Sequence, residues 1–341
     1  MSTVSVVVPC YKYGHYLRDC VRSVLDQQGV DVRVLVIDDA SPDDTARVAR
    51  SLVSTDGRVQ FRRHEENSGH IRTYNEGLGW IDGDYSLLLS ADDVLIPGAL
   101  ARAAEVLDTH PEVGFTYGKV VYFEGDDPPG RGRPHPAEAG WHLLAGAEFL
   151  RRVCESGHNP VPTPTVVVRT DLQKRLGGYR HQLPHSGDLE MWLRFAAHSC
   201  VGVLDADQAY QRKHARNMNL AYRGLEDLRQ RRDAFETLFR EHRDRIPDCD
   251  RLRAATIRKV AEDAFWEACS GFERGEVASS RELLDFGLGL DPTLALRPEW
   301  SRMRWKRRLG PTAWNLLRPI VDRARRAFDG SGPRRGIDAP R

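Results

Sequence analysis

Carboxylates stand out first. Asp38-Asp39 closes the largely apolar run Val32 to Ile37, and Asp92-Asp93 follows a second such run, Tyr85 to Leu89. An acid at the end of a strand can accept hydrogen bonds from a base N–H or a ribose hydroxyl. It can equally answer the positive end of a following helix. Adjacent carboxylates on a tight turn repel one another unless something offsets them. A hard divalent cation does so, taking carboxylate oxygens while leaving positions for diphosphate oxygens; bulk water on a solvated turn does so too. A third acid, Asp188, follows Ser186-Gly187 and precedes Leu189-Glu190-Met191-Trp192. There it reads as a helix cap or as a general base for an attacking hydroxyl. Glu190, two residues further along a helix, faces away from it. The fourth group is Tyr210-x-Arg212-Lys213-His214-x-x-Asn217. Cations here would stabilise charge growing on a departing diphosphate, or form a polar edge before the next region. His214 is open to three roles: metal ligand, diphosphate donor or surface residue.

These groups need a frame. Val4 to Val8 is a continuous β-branched run closed by Pro9, the pattern of a strand buried on both faces. From Tyr16 the period changes, and Leu17, Val21, Val24 and Leu25 share a helical face. Ser41 is the expected N-cap of the next helix, with Pro42 at its first position. Val59 to Arg63 reads as a third strand, Ile71 to Trp80 as a helix and Tyr85 to Leu89 as a fourth strand. Pro97 opens a helix carrying Leu100, Ala103, Ala104 and Leu107. Strand and helix alternate, so the expected fold is α/β with a mostly parallel sheet. Both acidic pairs then stand at the carboxyl edge of that sheet, where ligands of open α/β sheets bind.

Beyond Phe115 the pattern loosens. Glu124 to Gly140 is dense in Gly and Pro and reads as a long loop. Val166 to Val168 is a short strand, and Asp188 to Ala197 starts a helix. From about residue 218 the chain reads as helical, with Leu228, Phe235, Leu238 and Phe239 on one stripe. Ile257, Val260, Ala261, Ala264, Phe265 and Ala268 make another. The expected organisation is a catalytic domain over 1–217, in halves of about 1–110 and 111–217. A helical region follows over 218–300, then a basic amphipathic helix and disordered tail over 301–341.

The 341 residues are 40% apolar and 29% charged with formal net charge +1, so no global field argues for nucleic acid. Six cysteines stand at 10, 20, 154, 200, 249 and 269 with no C-x-x-C pair, which reads as reduced thiols of a cytoplasmic protein. Neither a leader pattern nor a run of about 18 apolar residues is found. Neither G-x-G-x-x-G, G-x-x-x-x-G-K-[ST] nor G-x-S-x-G occurs, which argues against a dinucleotide site, a P-loop and a hydrolase elbow. Val36 to Asp39 has the look of an acidic receiver pocket, but such a domain is about a third of this length and has no use for Asp92-Asp93.

Taken in order, VSVVVPCYKYGHYLRDCVRSVLDQQ, VLVIDDASPDDT, NSGHIRTYNEGL, GDYSLLLSADD and GDLEMWLRFA resemble the successive motifs of glycosyltransferase family 2, over roughly residues 3 to 217. The resemblance implies a Rossmann-like GT-A fold and inversion at the anomeric carbon, to which the helical pattern from about residue 218 adds a C-terminal helical extension. It implies that Pro9 and Tyr11 line the base pocket, that Asp39 binds the base and that Arg72 contacts the donor. It puts Asp92 near ribose and metal, Asp93 on the metal, and Asp188 as the catalytic base. Arg212 and His214 fall where many members contact the diphosphate. The implied cofactor is Mn²⁺ or Mg²⁺, and the implied donor a UDP- or dTDP-sugar. Two departures stand out: Ser90 replaces a third acid two residues before Asp92, and Gly187 replaces the Glu that often precedes the base.

The rival readings are a sugar nucleotidyltransferase, for which Pro9 to His15 supplies only one Gly, and a non-catalytic nucleotide-sugar-binding protein. From Ser301 on, twelve Lys/Arg stand against three Asp, interleaved with Trp305, Leu309, Trp314, Leu316, Leu317, Ile320, Val321 and Phe328. Pro311 and Pro319 are expected to interrupt this stretch. It suits peripheral contact with an anionic membrane through 301–330, or a helical cap with solvated arginines.

Overall fold

A computed structural model describes residues 1–125, 140–214 and 222–328, with backbone alone at residues 320 and 322–328. Most of the expected 124–140 loop, Asn217 and the 331–341 tail lie outside the described residues. The chain divides into two compact units, Met1–Arg223 with Arg229–Thr256, and Gly224–Leu228 with Ile257–Arg341. Residues 229–256, grouped by sequence with the helical region, thus cluster with the first unit.

The first unit opens with β1 (Thr3–Cys10), α1 (Gly14–Leu25), β2 (Asp31–Asp38), α2 (Thr45–Thr55), β3 (Val59–Arg63), α3 (His70–Trp80) and β4 (Tyr85–Leu88). β5 (Val94–Leu95), α4 (Ala99–Thr109), β6 (Val113–Phe123), β7 (Trp141–Leu144) and α5 (Gly146–Ser156) follow. Then come β8 (Val167–Arg169), α6 (Thr170–Leu176), α7 (Gly187–Ala196) and β9 (Cys200–Arg212). The nine strands among the described residues form one sheet in the order β3-β2-β1-β4-β8-β6-β9-β5, with β7 pairing β9. β1 runs parallel to β2 and β4, β2 to β3, and β6 to β9. β8, β5 and β7 run antiparallel to their neighbours, so the sheet is mixed but mostly parallel.

The β-branched run of β1 is buried on both faces, as its continuity dictates. Val4, Val6 and Val8 pack with Leu17, Val21 and Val24 of α1 and with Leu100, Ala103 and Leu107 of α4. Val7, Leu35 and Ile37 face the other way, towards Ile81 and Leu78. Gly77 lets α3 lie close on β1: a Cβ there would meet a Val7 methyl at 2.2 Å.

One cap differs from expectation. α2 begins at Thr45, not after Ser41. Asp43 accepts from the Thr45 N–H at 3.1 Å and the Gly14 N–H at 3.2 Å, while the Ser41 hydroxyl accepts from the Lys12 N–H at 3.0 Å. Ser41 therefore joins the turn after β1 to the turn after β2. Lys12 (φ 65°) and Ala40 (φ 56°) both hold left-handed backbone in these turns, a strain of roughly 1–2 kcal/mol each for a residue with a Cβ.

From Leu225 on, the regular elements among the described residues are helical. They are α8 (Leu225–Glu241), α9 (Cys249–Glu273), α10 (Val277–Leu290), α11 (Pro298–Leu309) and α12 (Pro311–Phe328). Pro311 occupies the first position of α12, where its missing N–H costs nothing. Pro319, expected to interrupt, lies inside α12 and gives up a single rung of the helix ladder. All six cysteines are free thiols, four of them buried.

Candidate active site

The carboxyl edge of the parallel strands opens into a cleft of about 1250 Å³ in the first unit. Pro9, Tyr11, Asp39, Asp92, Asp93, Asp188, Arg212 and His214 all line it. Arg72 does not; it is exposed on α3, between the cleft-lining Ile71 and Thr73. Asp38 sits behind the cleft wall, fully buried, accepting from the Ser41 N–H at 2.8 Å with Arg63 Nε 3.4 Å away.

Asp39 is held from several sides. Its carboxylate accepts from the Ser68 N–H at 2.7 Å and the Gly69 N–H at 3.0 Å, the loop that leads into α3. His64 Nδ1 lies 2.7 Å from the same carboxylate, and His64 Nε2 lies 2.8 Å from Glu76. Burial works against a charge on His64, but the bonds to Asp39 and Glu76 outweigh it and raise its pKa.

Asp92 and Asp93 occupy the turn between β4 and β5. Because Val94 pairs with Tyr210 in antiparallel register, the end of β9 arrives beside this turn. The Arg212 N–H donates to Asp93 at 3.2 Å and its Nε to the Asp92 carbonyl at 3.2 Å. The guanidinium lies between the Tyr16 ring at 4.0 Å and the Phe123 ring at 4.5 Å, and the side chain is 1% exposed. It acts from beneath the acids as a buried counter-charge. His214 Nε2 lies 3.1 Å from the Asp92 carboxylate, with its ring against Tyr13 and Tyr16. Burial raises the pKa of Asp92 against the pull of His214, and burial and then Asp92 raise that of Asp93.

Asp188 lies in the first turn of α7, one position inside the helix, and its side chain caps nothing. Its two oxygens are claimed separately. The Thr163 hydroxyl donates at 2.7 Å and the Tyr179 hydroxyl at 2.8 Å. Asp188 is half-buried and lines the cleft, and desolvation raises its pKa against those two bonds. Tyr179 is itself fixed: the Asn75 side chain of α3 accepts from its N–H at 2.7 Å and donates to its carbonyl at 2.8 Å. Its ring meets Tyr74 edge-on at 5.2 Å. Gly187 makes room for that ring, since a Cβ there would meet Tyr179 Cδ1 at 2.9 Å. Glu190 points elsewhere, buried between Arg180 and Arg194 at 3.0 Å each.

The acids were visible in the sequence; their supports were not. Thr163 and Tyr179 carry no charge and stand 25 and 9 residues from Asp188. Gly177-Gly178-Tyr179 was the one signal, a turn with an aromatic residue at its end. His64 and Glu76 gave none.

Chemically, the cleft offers paired acids suited to a cation and, at Asp188, a carboxylate able to take a proton. Its fold is shared with solved structures. One is Staphylococcus aureus TarS 1-349 in complex with UDP-GlcNAc, at TM-score 0.61 and 20% identity, covering 84% of this chain and 80% of that one. Another is the mannosyltransferase PcManGT of Pyrobaculum calidifontis in complex with GDP-Man and Mn²⁺, at TM-score 0.54 and 16% identity, covering 96% and 88%. Among curated sequences, the uncharacterized protein MT1568 of Mycobacterium tuberculosis (strain CDC 1551 / Oshkosh) is 28% identical over 219 residues, 62% of this chain and 67% of that protein. Residues 5–176, which contain Asp39, Asp92 and Asp93, match the profile of Glycosyl transferase family 2, and the chain belongs to that family of glycosyltransferases.

Proposed function

We propose that this enzyme transfers a glycosyl group from a nucleotide-diphosphate sugar to an acceptor hydroxyl, with inversion and with Asp188 as general base. The observation that carries the reading is the convergence of Asp39, Asp92-Asp93 and Asp188, from three distant stretches, on one cleft. The ligands named for TarS and PcManGT support a nucleotide-sugar donor, and the resemblance favours UDP or dTDP.

The reaction follows from the residues. Pro9 and Tyr11 receive the base, and Asp39 braces the loop around it. The acceptor oxygen attacks the anomeric carbon, the bond from that carbon to the diphosphate oxygen breaks, and Asp188 takes the hydroxyl proton. Thr163 and Tyr179 leave Asp188 with lone pairs aimed at the cleft, and its raised pKa makes it a stronger base than a solvated aspartate. Arg212 and His214 lie beside the acids that would face the leaving group.

Asp92 and Asp93 suit a hard divalent cation: adjacent, buried carboxylates whose repulsion such an ion relieves. Among the described residues no group of three or more His, Cys, Asp or Glu is arranged to hold a metal. Asp93 and Asp92, with His214 alongside, would therefore share the ion with donor oxygens. When bound, Mn²⁺ or Mg²⁺ supplies neutralisation of the departing diphosphate.

Asp188→Asn is the direct test. It should retain donor binding and lose transfer by roughly 10²–10⁴-fold; turnover at the wild-type rate would end the assignment. Release of nucleoside diphosphate is expected in the wild type, whereas release of pyrophosphate would point to a nucleotidyltransferase.

A further inference from the structure

The second unit ends in a pair of helices that the proposed chemistry does not use. α11 turns Trp300 and Met303 inwards, and Trp300 stacks on Phe265 at 5.6 Å. Gly310, with φ 82°, ends it, and α12 follows at once. Glu273, the last residue of α9, ties the pair down: Lys306 Nζ lies 2.9 Å from its carboxylate and Arg318 Nη1 3.0 Å from it. Lys306 also lies 4.5 Å over the Trp314 ring, which is buried. The inward side of both helices is thereby accounted for.

The outward side is not. Arg302, Arg304, Arg307 and Arg308 are exposed, and among the described residues none of their four guanidinium groups has an ion pair or hydrogen bond. Between Pro298 and Arg318 six cations stand against one acid, Glu299, in a chain whose net charge is only +1. Apolar groups are set among them. Arg302 and Arg308 lie three residues either side of Trp305, and Leu309 lies four residues beyond it, so helical periodicity puts all four on one face. Trp305 is 48% exposed and Leu309 36%; on α12, Leu316 is 74% exposed and Leu317 38%.

Two requirements follow for whatever meets this face. It must supply anions for the guanidinium groups, and it must also remove Trp and Leu side chains from water. A nucleic-acid backbone answers the first but leaves the leucines wet. A neutral apolar partner answers the second and strands the arginines. An anionic lipid surface answers both, since headgroup phosphates take the guanidiniums while Trp and Leu enter the boundary with the acyl chains. Among the described residues no helix is long and apolar enough to cross a membrane, so the contact would lie in the interface. We propose that α11 and α12 form a peripheral docking surface for a membrane rich in anionic lipid.

The test uses the full-length protein and flotation with vesicles of phosphatidylcholine alone or with roughly a third phosphatidylglycerol. The protein should float with the anionic vesicles, hardly with the neutral ones, and less as salt rises. The quadruple variant R302Q/R304Q/R307Q/R308Q should lose at least about 10-fold in apparent vesicle affinity. The triple variant L309S/L316S/L317S, with charge unchanged, should lose a similar amount. All of these positions are exposed, and an unchanged thermal midpoint and donor affinity would exclude misfolding as the cause. Absence of wild-type flotation, equal flotation with neutral vesicles, or anionic binding undiminished in the leucine variant would each overturn the proposal. Tight binding of duplex DNA without vesicle binding would assign the arginines to nucleic acid instead.

Discussion

At the residue scale, the surroundings of Asp188 are those the proposed base requires. Burial raises its pKa, and two hydroxyls hold its oxygens without neutralising them. A base must be ionised, so activity should fall as pH drops through a value above that of an ordinary aspartate. Tyr179→Phe removes a bond that lowers this pKa, so the acid limb of the kcat profile should move to higher pH. kcat on the plateau should fall several-fold because the base loses one of the two contacts that position it, with the KM for donor unchanged; an unmoved acid limb would remove Tyr179 from this role. Stability should respond in the opposite sense. A carboxyl whose pKa is higher folded than unfolded favours the fold at low pH, and that contribution is gone once pH passes the raised value. At neutral pH the charge is therefore carried at a cost, and Asp188→Asn should melt at the same temperature or roughly 1–3 °C higher. Acids such as these are legible in a sequence because charge beside an apolar run is conspicuous. Thr163 and Tyr179 are not, because a hydroxyl acquires meaning only from what folding sets beside it.

At the scale of elements, legibility follows burial. β1, β2 and β4 read clearly because β-branched and leucine runs packed on both faces admit few other conformations. β5, with two residues, is too short to show any period, whereas β8, with three, is legible from the valines at 166–168, one residue ahead of its observed start. β9 escaped notice for another reason. Its sequence, CVGVLDADQAYQR, is half polar, and its pairing with β6 shifts register at irregularities near Tyr117 and Lys119. The loop-to-helix step at α7 shows what local sequence decides. Gly187 lowers helix propensity by about 1 kcal/mol relative to Ala, yet Ala would press on the Tyr179 ring at 2.9 Å. Gly187→Ala should leave the melting temperature within about 2 °C of wild type, propensity offsetting the clash. kcat should fall several-fold as the ring leaves Asp188. Unchanged kcat would mean that the ring yields without disturbing the base.

At the scale of the whole molecule, the cleft is the product of distant parts of the chain. Donor affinity should depend on a divalent cation if Asp92, Asp93 and the donor share one as proposed. A nucleotide sugar of the right kind, at a hundredfold excess over its Kd, adds about 2.7 kcal/mol, or roughly 4–6 °C in melting temperature. With Mn²⁺ present this shift should appear, and excess EDTA should remove most of it and abolish transfer. Full activity in EDTA would count against Asp93 as a ligand. The sheet order carries a further consequence for the life of the chain. Asp92 and Asp93 emerge from synthesis long before Arg212 and His214, which reach them only when β9 threads in between β6 and β5. Until then two adjacent acids have no positive neighbour from that strand. The nascent domain is thus electrostatically unfinished until its last strand inserts, and competence to bind a donor must come late, well after the first four strands have assembled.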